Sequence, residues 1–205
     1  MAIIKPNNNT ISAITVLPAA DGSALTGISS DFVLLSSTDI TSSTASVTFD
    51  GHFSSTYQNY KVIISNLIPA TNSARLRMRY RQSDADVTAS NYAYVIGADL
   101  VYSAGSGAAN LETSFNTGQV VVTSEMKNTS TLTNSVELTL FDPLSAQNKA
   151  CTWHNQNFGS VLTDLNRNYI GSCLYDGNTT VLSGLTFYMD SGDISTGNFK
   201  LYGIK

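Results

Sequence analysis

Two runs near the end of the chain constrain the fold more than any other stretch. Residues 184–189 (Gly-Leu-Thr-Phe-Tyr-Met) and 198–204 (Asn-Phe-Lys-Leu-Tyr-Gly-Ile) are joined by Asp-Ser-Gly-Asp-Ile-Ser-Thr-Gly. In the first, Leu185, Phe187 and Met189 alternate with Thr186 and Tyr188; in the second, Phe199 and Leu201 alternate with Lys200 and Tyr202. A period of two places every second side chain on one face, which is the pattern of strands with one side on a core. The connection is too long for a two-residue turn, so the spacing predicts a bulged or wide antiparallel hairpin laid into the sheet at the chain's end.

The same pattern recurs upstream from Asp31. Runs at 32–35, 45–49, 60–65, 74–81, 91–96, 119–124, 135–141, 149–155 and 169–175 are bounded by Ser, Thr, Asp and Gly clusters. With the closing pair they make about eleven strands, a number and spacing suited to a sandwich or barrel. Val161–Arg167 is the best candidate for a short helix, and residues 104–109 (Ala-Gly-Ser-Gly-Ala-Ala) read as a flexible loop tip. No internal repeat of fixed period is present, which argues against a propeller or solenoid. The expected fold class is all-β, a jelly-roll-like antiparallel β-sandwich over residues 31–205, preceded by an extended N-terminal arm over residues 1–30.

The arm reads differently. Ile3, Ile4, Ile11, Ile14, Val16 and Leu17 are broken up by Pro6, Asn7-Asn8-Asn9, Pro18 and Gly22. Proline holds its neighbourhood extended and is excluded from central strands. Apolar residues without a period cannot cover one another, so the stretch reads as a docking arm whose aliphatic side chains lie on a partner, or else as a flexible leader or a segment folded back on its own domain.

Within the domain, Arg75, Arg77, Arg79 and Arg81 are four of the chain's five arginines and share one face of a strand, with Leu76, Met78 and Tyr80 on the other. Two readings follow. The arginines are an interface toward acidic neighbours, glycan or phosphate, or they pair across strands with carboxylates such as Glu112, Glu125 or Glu137. Trp153, beside His154 and Asn155, is either a glycan-stacking corner or a core tryptophan.

Charged residues are only 13% of the chain and the net charge is −4. That balance gives no bias toward direct nucleic-acid binding, and no stretch approaches the length of a membrane span. The opening residues lack the apolar stretch of a signal peptide. Cys151 and Cys173 are too few for a disulfide framework; they read as buried free thiols, or as one bridge if their strands are neighbours. His52 and His154 have no nucleophile elbow or metal-ligand spacing near them, and the acids at Asp84, Asp86, Asp190 and Asp193 read as turn formers rather than calcium ligands. The expectation is a protein that is not an enzyme and needs no cofactor.

Residues 4–20 (Ile-Lys-Pro-Asn-Asn-Asn-Thr-Ile-Ser-Ala-Ile-Thr-Val-Leu-Pro-Ala-Ala) and 191–205 (Ser-Gly-Asp-Ile-Ser-Thr-Gly-Asn-Phe-Lys-Leu-Tyr-Gly-Ile-Lys) together resemble virion structural proteins of tailed bacteriophages, marine ones especially. Residues 53–66 are similar in style to the same group. The resemblance touches about a quarter of the chain and carries over no catalytic residues. It implies localisation in the virion, other capsid or tail proteins as partners, and a homo-oligomer, with a trimer as the expected state. A head decoration protein, or a fibre or knob subunit, attached through the arm is the leading expectation. The alternative is a tail receptor-binding module that recognises host-surface glycan.

Overall fold

The computed structural model describes residues 31–102, 107–159 and 164–205. The six aliphatic side chains assigned to the arm therefore lie outside the described residues. In chain order the strands are β1 (Phe32–Ile40), β2 (Ser46–Asp50), β3 (Asn59–Pro69), β4 (Leu76–Gln82), β5 (Ala85–Asp86), β6 (Tyr92–Tyr102) and β7 (Gly107–Thr117). They continue with β8 (Val120–Val121), β9 (Asn134–Phe141), β10 (Lys149–Asn157), β11 (Asp164–Tyr175), β12 (Gly184–Met189) and β13 (Ile194–Ile204). No helix occurs among the described residues.

The strands form two antiparallel sheets packed as a sandwich. One has eight strands in the order β1-β13-β3-β9-β10-β11-β6-β7, and the other has the order β2-β12-β4-β5, with β8 also pairing β4. Along the chain the members of the sets β1-β13-β3-β9 and β2-β12-β4-β8 change sheet at every step except from β4 to β8, an order compatible with a jelly roll. Strands β10, β11, β6 and β7 widen the larger sheet beyond that set.

The closing pair is the main correction to the sequence reading. β12 lies in the smaller sheet between β2 and β4, whereas β13 lies in the larger one between β1 and β3. The two runs are not a hairpin. Alternation marks which side of a strand is buried, but a hairpin and a crossing between sheets bury the same residues. Here Phe187 and Phe199 meet across the core with ring centroids 6.1 Å apart. The link turns through Gly192, whose φ of +67° is a conformation that glycine adopts without the steric cost of a Cβ.

The core follows the alternation. Leu76, Met78, Tyr80, Leu185, Phe187, Phe199 and Leu201 are all fully buried. Tyr80, Tyr92 and Tyr175 pack ring against ring at 5.0–6.0 Å, and the Tyr92 hydroxyl accepts from the Tyr80 N–H at 3.0 Å while donating to the Val87 carbonyl at 3.0 Å. Two further expectations change. Residues 164–167 of the helix candidate belong to β11, and 161–163 lie outside the described residues. From Gly107 onward the supposed loop tip is the start of β7, an eleven-residue strand that alternation does not reveal.

Candidate functional site

Strand β4 runs down the smaller sheet with β12 on one side and β5 and β8 on the other. Because its inner residues are apolar, its arginines are forced onto the outer face, and each finds partners from neighbouring elements. Arg75 meets Glu112 through two guanidinium nitrogens, Nη2 to Oε2 at 2.5 Å and Nη1 to Oε1 at 3.3 Å. Arg77 reaches Asp190 at 3.1 Å. Arg81 binds Asp50 and Asp86, both at 2.7 Å. Arg79 has no carboxylate partner among the described residues; it donates to the Gly118 carbonyl at 3.1 Å and lies 4.9 Å over the Tyr188 ring.

Three of the four arginines are thus ion-paired within the fold, as in the cross-strand reading, and Arg79 is held by a carbonyl and a ring instead. Of the carboxylates expected there, Glu112 takes part, while Glu137 pairs with Lys61. The other partners, Asp50 and Asp86 at strand ends and Asp190 in a turn, come from outside the long strands beside β4. Asp190 also accepts the Arg75 backbone N–H at 2.8 Å, and Asp86 accepts from the Thr186 hydroxyl at 2.7 Å. A sequence reading limited to long strands misses these acids, because residues at strand ends and turns reach the face only once the strands are placed.

Electrostatics follow from these contacts. Burial raises the Asp50 carboxyl, but hydrogen bonds from Arg81 and Ser183 outweigh it and hold the group below its usual 3.8. Burial likewise pulls Arg75 down, and its bonds to Glu112 more than restore it. A carboxyl whose pKa is depressed on folding adds stability that is complete above its unfolded value and is lost as pH falls through the folded one. Stability should therefore fall on acidification below roughly pH 4. In Asp50→Asn that fall should be shallower, as measured by urea unfolding at pH 3 and pH 6.

Trp153 is 2% exposed and faces inward, packed over Gly171 of the neighbouring strand. It offers no aromatic platform for a sugar; the glycan-contact reading gives way to a core tryptophan, because the odd-numbered residues of β10 all point inward. His154, on the opposite side, is exposed and hydrogen-bonded to Asn168. Cys151 and Cys173 stand directly opposite each other on β10 and β11 as buried free thiols. The hydrogen bond with Cys151, and burial, push the Cys173 thiol well above its usual range. Among the described residues no three His, Cys, Asp or Glu side chains gather where a metal could be held.

The outer face of the larger sheet is of another kind. Leu111, Phe115 and Ile170 are 68%, 69% and 64% exposed, and Val95 and Leu174 are also exposed. Between them lie small residues, Ala93 and Gly97 on β6 and Ala150 on β10, so the surface alternates apolar ridges and hollows. The sequence signal for this patch is weak, since its apolar side chains are spread over three strands that come together only in the sheet. No protein-family model matches the chain, and no curated protein matches it.

Proposed function

We propose that this chain is a non-enzymatic structural protein on the exterior of a tailed-bacteriophage particle, of head-decoration or fibre type, bound to other virion proteins through residues 1–30. The resemblance of residues 4–20 and 191–205 to phage virion proteins motivates the reading. The observation that carries it is the exposed apolar outer face of the larger sheet, a kind of surface that marks sites of protein–protein contact. The ion pairing of Arg75, Arg77 and Arg81 within the fold fits a structural role as well. The alternative, a tail module recognising host glycan, would need a platform other than Trp153.

Attachment is assigned to the arm because ordering an extended segment costs about 1–2 kcal/mol per residue, which only a long contact or several copies acting together can offset. Deleting residues 1–28 should leave the β-domain folded, with an unchanged far-ultraviolet spectrum, and abolish incorporation into particles. Truncated protein that assembles at normal occupancy would show that the sandwich itself makes the attachment. Labelling the protein in intact particles and locating it by electron microscopy tests head against tail.

A further inference from the structure

Among the described residues, strand β7 is the terminal strand of the eight-stranded sheet, bonded to β6 on one side and to no strand on the other. Sheet edges carry a row of unpaired backbone donors and acceptors, and proteins that stay apart usually guard them with lysine, proline or inward charges. β7, Gly-Ala-Ala-Asn-Leu-Glu-Thr-Ser-Phe-Asn-Thr, has no lysine, arginine or proline. Its one charge, Glu112, is inward-pointing, opposite buried Ile96, but it is already held by Arg75 and by the Tyr94 hydroxyl at 3.2 Å within the same chain, so it does not meet an incoming strand as a bare charge. The outer side of the strand carries Leu111, Thr113 and Phe115, all exposed.

From these observations we infer that β7 joins a second copy of this chain edge to edge, antiparallel, about a two-fold axis through Thr113. The segment Leu111-Glu-Thr-Ser-Phe115 reads apolar, polar, Thr, polar, apolar in both directions. In that register Leu111 lies against Phe115 of the second copy, Glu112 lies opposite Ser114, and Thr113 faces itself. Isologous contacts need such self-complementarity. Directly opposed apolar side chains are the unit of sheet stabilisation, and like charges directly opposed are its commonest penalty. Here the apolar pair is made and no carboxylate faces another. The register one residue lower would set Glu112 against Glu112, so it is disfavoured. The regular edge ends after Phe115, where β7 bulges against β6 and Asn116 takes a φ of +54°. The contact is therefore short, at the small end of interface sizes, and should dissociate on dilution. It involves neither the arm nor the particle, and it replaces the expected trimer with an even-numbered assembly.

The test uses the full chain. Sedimentation velocity over a concentration series should show a monomer converting to twice the chain mass, and Leu111→Lys combined with Phe115→Lys should hold it monomeric throughout with an unchanged melting temperature. Thr113→Cys should form a disulfide-linked dimer with oxidised glutathione, because opposed Cα atoms about 4.5–5.5 Å apart fall within disulfide reach. Leu111→Cys should not, since the two copies of residue 111 would sit about 14 Å apart along the strands. Both native cysteines are buried, which keeps the background low. A wild-type monomer at every concentration, a trimeric mass, an oligomer that survives the lysine pair, or equal cross-linking at 111 and 113 would each overturn the proposal.

Discussion

Leu76→Asp unfolds the domain, whereas Arg77→Ser, one residue along, leaves it folded: this is the expected outcome of paired urea titrations. Leu76 is fully buried in β4, a strand bonded to neighbours on both sides. Aspartate there loses the leucine's burial and places an unpaired carboxylate in the core, a combination costing about 4–5 kcal/mol or more. Total stability for a domain is about 5–15 kcal/mol, so the variant should be unfolded or insoluble. Arg77 stands partly exposed on the other face and gives up one ion pair with Asp190, an effect of at most about 1 kcal/mol. Equal losses in the two variants would mean that β4 is shifted by one residue, since a one-residue slip exchanges its faces.

Gly171→Val should be nearly as damaging, for a steric reason. A Cβ built at Gly171 would lie 2.2 Å from Cζ2 and 2.3 Å from Cε2 of Trp153, well inside contact distance. The indole is fully enclosed between the sheets and cannot swing away. Overpacking of this kind costs about 3 kcal/mol. Trp153 is the chain's only tryptophan, so its fluorescence reports the displacement directly. Coupling is the sharper measurement. Trp153→Leu alone should destabilise by leaving a cavity, yet in combination with Gly171→Val the two costs should sum to less than their separate values. Strict additivity would show that the indole and the glycine are not in contact.

How much of this was legible in the sequence depends on what each signal reports. Alternation located the buried side of β4, β12 and β13, because a strand with one face on a core must alternate. It could not say which sheet a strand enters, and so β12 and β13 read as a hairpin when they stand in opposite layers. Strand β7 went unseen for the reverse reason: Leu111 and Phe115 point outward and its inner positions carry Asn110, Glu112 and Ser114, so no apolar stripe marks it. The arginine row was readable as a face, but most of its partners, Asp50, Asp86 and Asp190, sit at strand ends and turns that only the assembled sheet brings near. Trp153 carried two readings because an aromatic flanked by polar residues looks the same in a strand facing inward as in a surface corner.

The placement of β12 and β13 has a consequence for biosynthesis. Each fills an interior position: β12 separates β2 from β4, and β13 separates β1 from β3. They are also the last of the described strands to leave the ribosome. A nascent chain that has reached residue 183 thus holds two sheets that each lack a middle strand, with four backbone edges facing the gaps. Synthesis at about 5–20 residues per second prolongs that state for seconds, with edges open to wrong partners. Long-range antiparallel pairing is slow in any case, since loop entropy is lost before the contacts form. Folding of this domain should therefore wait until residues 184–204 drop into both layers at once, and a chain truncated before them should yield aggregate rather than a smaller folded core.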